Sequence, residues 1–151
     1  MDKPSHDQTI DTIAKTCVAV RLRLLNRVVT SIYDDALRPL GLKASQMNVL
    51  IVTAKLGLAR PARVCEILQL DSSTLSRNVE RMRTAGWLEV VPGEDARAQP
   101  FRLTPLGKRL IEKAVPAWED AQGQATELLG KEVIALLAKA AKKLGGPTAD
   151  G

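Results

Sequence analysis

The feature that most constrains this fold is a change of hydrophobic period, from helical to alternating and back again. Leu75, Val79 and Met82 recur at three- and four-residue steps, which places them on one face of a helix. WLEVV (Trp87 to Val91) and PFRLT (Pro100 to Thr104) then read as two short strands joined by PGEDARAQ. In the second strand Phe101 and Leu103 share a face while Arg102 points away, and Pro100 suits only a strand start or edge. Thr104 and Pro105 supply an N-cap with proline at the first helical position, so a long helix reopens there and runs to about Leu129. Its stripe is Leu106, Leu110, Ala114, Ala117, Ala121, Ala125 and Leu128, with a kink expected at Pro116. A hairpin wedged between helices predicts a mainly α fold with a small β appendage.

Upstream, the first nine or so residues are polar and predicted to fray. One helix is expected from Ile10 to Leu40, closed by Gly41. It carries two apolar stripes, one through Ile13, Cys17 and Val20, the other through Leu22, Leu25 and Val29. A helix apolar over so wide an arc must be covered from more than one side. A second helix, Ser45 to Leu56, turns Met47, Leu50, Ile51 and Ala54 inward. Pro61 opens a short third with Val64, Cys65 and Leu68 inward, and after a break Asp71 or Ser72 caps the next, which Gly86 ends. A last helix, Lys131 to Leu144, is expected to bury Val133, Leu136, Leu137 and Ala140.

Two short helices joined by a tight break form a helix-turn-helix, and the hairpin after the second makes it winged. The second helix, within DSSTLSRNVERMRTAGW, sets Ser73, Thr74, Arg77, Asn78 and Arg81 opposite its apolar face. Its N-terminus offers backbone N–H groups and a positive dipole end to phosphate oxygens. Ser72, Ser73, Thr74 and Ser76 are short enough to let the backbone approach a groove. Arg77 and Arg81, one turn apart, can reach guanine edges or phosphates. A net charge of +5 and a pI near 9.5 favour a polyanionic partner without requiring one.

These residues resemble the MarR family of transcriptional regulators, over nearly the whole chain from about Ile13 to Leu144. The resemblance rests on LRPLGLKASQMNVL, DSSTLSRNVERMRTAGWLE and EDARAQPFRLTPLGKRL. It implies one MarR-type domain over 1–151, with a winged helix-turn-helix core at about 43–104 and dimerisation helices at 10–40 and 105–144. It also implies a homodimer on double-stranded DNA, typically a repressor released by a small molecule or an oxidant. Asp95 and Arg97 fall on the family's wing-tip D-x-R, where the arginine enters the minor groove and Asp95 holds it; by their chemistry alone they are equally an exposed ion pair. Lys43 stands where a capping Ser or Thr is usual, so Ser45 is the expected cap. The first wing strand lacks the usual arginine and Glu94 adjoins Asp95, which predicts a weaker wing and a larger share for the recognition helix.

One winged helix buries little surface on DNA, so a partner subunit is expected. The two-striped first helix and the terminal helices supply a two-fold interface through Ile13, Cys17, Val20, Leu128, Val133, Leu136 and Leu137. The operator is then an inverted repeat. The switch is read two ways. Tyr33, Met47, Trp87 and Trp118 are candidate walls for an aromatic acid or phenol, in the family's habit, and packing is the alternative role of each. Cys17 is either a small buried hydrophobe or an oxidant sensor.

Other classes are excluded by what the chain lacks. A single histidine, His6, and no clustered acids leave no nucleophile with its base, no paired carboxylates and no metal spacing, so neither an enzyme nor a cofactor is expected. No apolar run approaches the roughly 18 residues of a membrane span. MDKPSHDQTIDTIAKT has no signal-peptide layout, and a cytoplasmic location follows as the expectation. A winged helix serving protein contact is the remaining rival, though it should expose apolar anchors between residues 73 and 81.

Overall fold

The computed structural model describes residues 5–92 and 99–145. Its helices begin earlier than expected. Ser5 and Gln8 form a reciprocal capping box, with Ser5 N donating to Gln8 Oε1 at 2.9 Å and Gln8 N to Ser5 Oγ at 3.3 Å. This opens α1 (His6–Thr16), where fraying is predicted. The helix expected over 10–40 is divided at Cys17, whose extended backbone (φ −62°, ψ 112°) separates α1 from α2 (Val18–Leu37). The Thr9, Thr12 and Thr16 hydroxyls donate to carbonyls four residues back at 3.1, 2.8 and 2.6 Å. Such back-bonding bends a helix, and no residue of α1 is buried. After α2 a 3-10 turn, Arg38–Leu40, closes on Gly41 at φ 67°, the left-handed stop that its sequence predicts.

The rest follows as α3 (Ala44–Leu56), α4 (Pro61–Leu68), α5 (Ser72–Thr84), β1 (Leu88–Val90), β2 (Phe101–Leu103), α6 (Pro105–Leu129) and α7 (Lys131–Lys143). This is a mainly α chain with a small β-hairpin, the winged helix-turn-helix arrangement. Lys43, not Ser45, is the N-cap of α3. Lys43 N donates to Gln46 Oε1 at 3.0 Å, and Ala44 N to Asp34 Oδ1 on α2 at 2.7 Å. A carboxylate from a neighbouring helix thus replaces the missing hydroxyl.

The core is aliphatic around one aromatic ring, with Leu37, Leu50, Val64, Leu75, Met82 and Leu88 closing on Phe101. At its centre α3 packs against α2, α4, β2 and α6. It therefore buries Val49, Val52 and Thr53 besides Met47 and Leu50. Ile51 and Ala54, expected inward, are exposed, because the covering elements lie on the other sides of α3. The buried Thr53 hydroxyl is satisfied by Val49 O at 2.7 Å. Leu106 is likewise 45% exposed, and the adjacent Gly107 takes the buried position.

β1 and β2 pair antiparallel, Leu88 opposite Leu103 and Val90 opposite Phe101. The hairpin is tied back by a bridge that the sequence does not signal. Ala59 N donates to Phe101 O at 2.8 Å and Phe101 N to Ala59 O at 2.9 Å. Thr104 caps α6 as predicted, its Oγ accepting from Gly107 N at 3.0 Å and donating to Gly86 O at 2.6 Å. Pro116 lies inside α6 without ending it. Along α7 no residue is buried, so the inward placement of Val133, Leu136, Leu137 and Ala140 fails within one chain. Among the described residues nothing buries that face.

Candidate nucleic-acid interface

The break between α4 and α5 is held by the backbone. Gln69 adopts the left-handed conformation at φ 51°, its Nε2 donating to Glu66 O at 2.8 Å, and Leu70 N closes the turn on Cys65 O at 3.0 Å. Asp71 then caps α5. Leu75 and Met82 are buried and Val79 half-buried, which anchors the apolar face. Ser73, Arg77 and Arg81, one turn apart in succession, are all exposed on the opposite side.

Asp71 changes the expected chemistry of the helix start. Its Oδ1 accepts from Thr74 N at 2.8 Å and from Ser73 Oγ at 2.6 Å, while Oδ2 accepts from Thr74 Oγ1 at 2.7 Å. The Ser73 and Thr74 hydroxyls and the Thr74 amide hold the Asp71 carboxyl far below the usual carboxylate range. The positive end of the α5 dipole is therefore already answered by a fixed negative charge. A phosphate seated there, as the sequence predicts, is opposed by that charge.

The predicted residues fall on two rows. Ser72 and Ser76, with Val79 and Glu80, line a groove of about 560 Å³ between α5 and the wing, whose far wall is Val90 and Phe101. Ser73 lines the groove as well and is exposed, and Arg77 and Arg81 continue the outward row from it. Pairing separates the arginines further. Arg83 is bidentate on Glu80 at 2.8 and 2.9 Å, which lowers the Glu80 carboxyl and raises the Arg83 guanidinium from their ordinary values. Among the described residues Arg77 and Arg81 meet no carboxylate, and Arg77 Nη2 lies 3.5 Å from Thr74 Oγ1. On the wing Arg102 pairs across the strands with Glu89 at 2.5 Å. Asp95 and Arg97, with Glu94, lie outside the described residues.

Three of the four predicted effector walls come together. Tyr33 (α2), Met47 (α3) and Trp118 (α6) line a cleft of about 250 Å³ with Val29, Leu37 and Asn48. Met47 and Trp118 also border an adjoining apolar cleft of about 510 Å³ that includes Ile51, Leu68 and Val115. Tyr33 donates its hydroxyl to Gln122 Oε1, and burial raises its pKa. Trp87 is not among these walls. It packs against the core at the start of the wing, with its carbonyl accepting from Thr104 N at 3.1 Å. Asn48 escaped the sequence reading because nothing marks a polar residue that joins an apolar wall only through packing. Cys17 is a partly exposed free thiol at the α1–α2 break, rather than a stripe residue within a helix. Among the described residues no cluster of His, Cys, Asp or Glu could hold a metal, and no helix is long and apolar enough to cross a membrane.

A model of the MarR family matches residues 40–98, which span the turn before α3, the helix-turn-helix and β1. The multiple antibiotic resistance protein MarR of Salmonella typhimurium is 27% identical over 123 residues, covering 80% of this chain and 85% of that protein. Among solved structures, the Mycobacterium tuberculosis transcriptional regulator MosR, in complex with DNA, is 33% identical with a TM-score of 0.70, covering 85% of this chain and 98% of that one. A mutant of Escherichia coli MarR complexed with operator DNA superposes with a TM-score of 0.76 at 23% identity, covering 88% and 96% of the two chains. With its two-strand wing, its capped recognition helix and relatives spanning nearly its full length, the chain belongs to the MarR family of winged helix-turn-helix transcriptional regulators.

Proposed function

We propose that this chain is a homodimeric, sequence-specific DNA-binding regulator, a repressor released when a small aromatic ligand binds. The observation that carries the DNA reading is the pair Arg77 and Arg81. Both stand one turn apart on the exposed face of α5, without a carboxylate partner among the described residues, whereas Glu80 occupies Arg83. A protein-binding α5 would show apolar anchors there; this one shows Ser73, Arg77 and Arg81. Ser72, Ser73, Thr74, Ser76, Arg77 and Arg81 are the proposed contacts of the helix, and Asp95 and Arg97 those of the wing. The DNA complex of the MosR relative supports the DNA-binding reading.

The two-fold assembly is supported by apolar side chains that a single chain leaves uncovered. Ile13 is 59% exposed and Leu136 65%, and Val20, Leu128, Val133 and Leu137 are exposed with them. Large apolar side chains left exposed in such number on the terminal helices support an interface. The winged core at 43–104 then reads DNA while 10–40 and 105–144 pair the subunits, and the inverted-repeat half-sites lie about one helical turn apart.

Fluorescence anisotropy of genomic DNA fragments at two salt concentrations tests the reading. Tight binding that weakens steeply with salt is expected; absent or salt-insensitive binding overturns it. For the effector, the supporting feature is the cleft of Tyr33, Met47 and Trp118, which has an apolar wall and a polar rim. Titrating the DNA complex with aromatic acids should release it. Release by peroxide alone would favour Cys17 instead.

A further inference from the structure

We infer that Asp71 fixes the direction of hydrogen bonding at Ser73, so that Ser73 reads a base amino group, adenine N6 or cytosine N4, and not a keto oxygen or a phosphate. This rests on the DNA-binding reading above and adds the class of base that one residue recognises.

The argument is one of proton accounting. A serine hydroxyl carries a single proton, and an ionised carboxylate only accepts. Asp71 receives two hydroxyls at once, Ser73 Oγ on Oδ1 at 2.6 Å and Thr74 Oγ1 on Oδ2 at 2.7 Å. Both protons are therefore committed inward. The same contacts keep the carboxyl ionised throughout the neutral range. What Ser73 turns outward is its lone pairs. Ser73 is exposed and leads the row that Arg77 and Arg81 continue, so it lies on the surface that meets the groove.

In the major groove, guanine shows N7 and O6 acceptors and thymine shows O4 and a methyl group. Only adenine N6 and cytosine N4 donate there. A lone-pair-only Ser73 satisfies those two and faces the others acceptor to acceptor. Phosphate oxygens are acceptors too, so Ser73 is no backbone anchor. Ser76, one turn from Ser72, has no such tether, and its hydroxyl turns freely to donate or accept. Asp71 is thus a positioning residue acting through Ser73.

The test is selection of bound duplexes from a randomised library by the full-length wild-type protein, Ser73→Ala and Asp71→Gly, with circular dichroism to confirm folding. Glycine is itself a favoured N-cap residue, so α5 keeps its start. Ser73→Ala identifies the base position that Ser73 reads, as the one whose preference disappears. In the wild type, replacing the adenine or cytosine of that pair by its analogue lacking the exocyclic amino group should weaken binding by about tenfold. Asp71→Gly frees the Ser73 proton, so the same replacement should cost that variant about threefold or less. A wild-type affinity that the analogue leaves unchanged overturns the inference. So does an equal loss in Asp71→Gly, or a Ser73→Ala profile identical to wild type. Failure of the wild type to enrich any sequence sinks the DNA-binding reading itself, which separates the two.

Discussion

A Cβ on Gly107 would stand 2.2 Å from the Trp87 carbonyl oxygen and 3.0 Å from its carbonyl carbon, so α6 meets the start of the wing at a distance that only glycine allows. That carbonyl also accepts from Thr104 N at 3.1 Å, so the obstacle is backbone that a hydrogen bond already holds. Gly107→Ala should therefore destabilise the fold by about 3 kcal/mol, the upper end for overpacking. Urea unfolding measures it. A variant of wild-type midpoint and slope would show that the helix start yields.

The arginines of α5 should divide by their pairing. Arg77→Ala removes an exposed guanidinium that meets no carboxylate among the described residues, and is expected to cost about 1–3 kcal/mol on specific DNA, with relaxed sequence preference. Arg83→Ala removes a group bound to Glu80 and should cost well under about 1 kcal/mol. Anisotropy titrations of both variants on cognate and random duplexes check the contrast. Equal losses for Arg77→Ala on the two duplexes would make Arg77 a phosphate contact, and a larger loss for Arg83→Ala would reverse the assignment.

How far the chain could be read from residues alone depends on where each signal lives. The wing, the caps at Asp71 and Thr104 and the glycine stops at Gly41 and Gly86 were legible because they are local. Each rests on residue types within a few positions of one another. Ser73, Arg77 and Arg81 of the outward row of α5 were legible for the same reason, since helical period alone opposes them to Leu75 and Met82, whereas Thr74 and Asn78 of the expected row are half-buried. The break at Cys17 was not, because no proline, glycine or other local stop marks it. Ser5–Gln8, by contrast, was a readable capping box that the polar composition of the terminus concealed. Long-range partners were hidden altogether. Asp34 caps α3 from ten residues upstream, Ala59 bridges Phe101, and Trp87 faces the core instead of the cleft.

Asp71 makes a pH prediction with a definite sign. Its folded-state pKa lies below its unfolded value, because hydroxyl and amide donors favour the ionised form. A depressed carboxylate stabilises the fold above the unfolded pKa and loses that contribution as pH falls. The gap in urea midpoint between wild type and Asp71→Gly should thus be widest at pH 5 and above, and narrow steadily below about pH 4. A gap independent of pH would mean that the carboxylate's charge plays no part in capping α5.

The apolar faces of α1 and α7 predict what separates the subunits. Leu136→Glu and Ile13→Glu each add a charge to a face that is open in one chain, so the winged core should keep its fold. In a dimer the same charges are buried without partners. Sedimentation should move towards the monomer, and operator affinity should fall more than about tenfold, since one subunit then engages one half-site. A dimer that survives both substitutions would show that the interface lies elsewhere.

The proposed binding of an aromatic acid can be tested at Trp118, which lines both clefts, against Trp87, which lines neither. Benzoate is expected to quench the fluorescence of the wild type and of Trp87→Phe alike. Trp118→Phe should lose the quench while keeping its fold, because a half-exposed ring is replaced by a smaller aromatic one. Tyr33→Phe bears on the polar rim. It removes the hydroxyl that binds Gln122 and frees the amide, so the affinity for a carboxylate should change by a few-fold while DNA affinity without ligand stays constant. Quenching that follows Trp87 in place of Trp118 would move the effector out of this crevice and towards the wing.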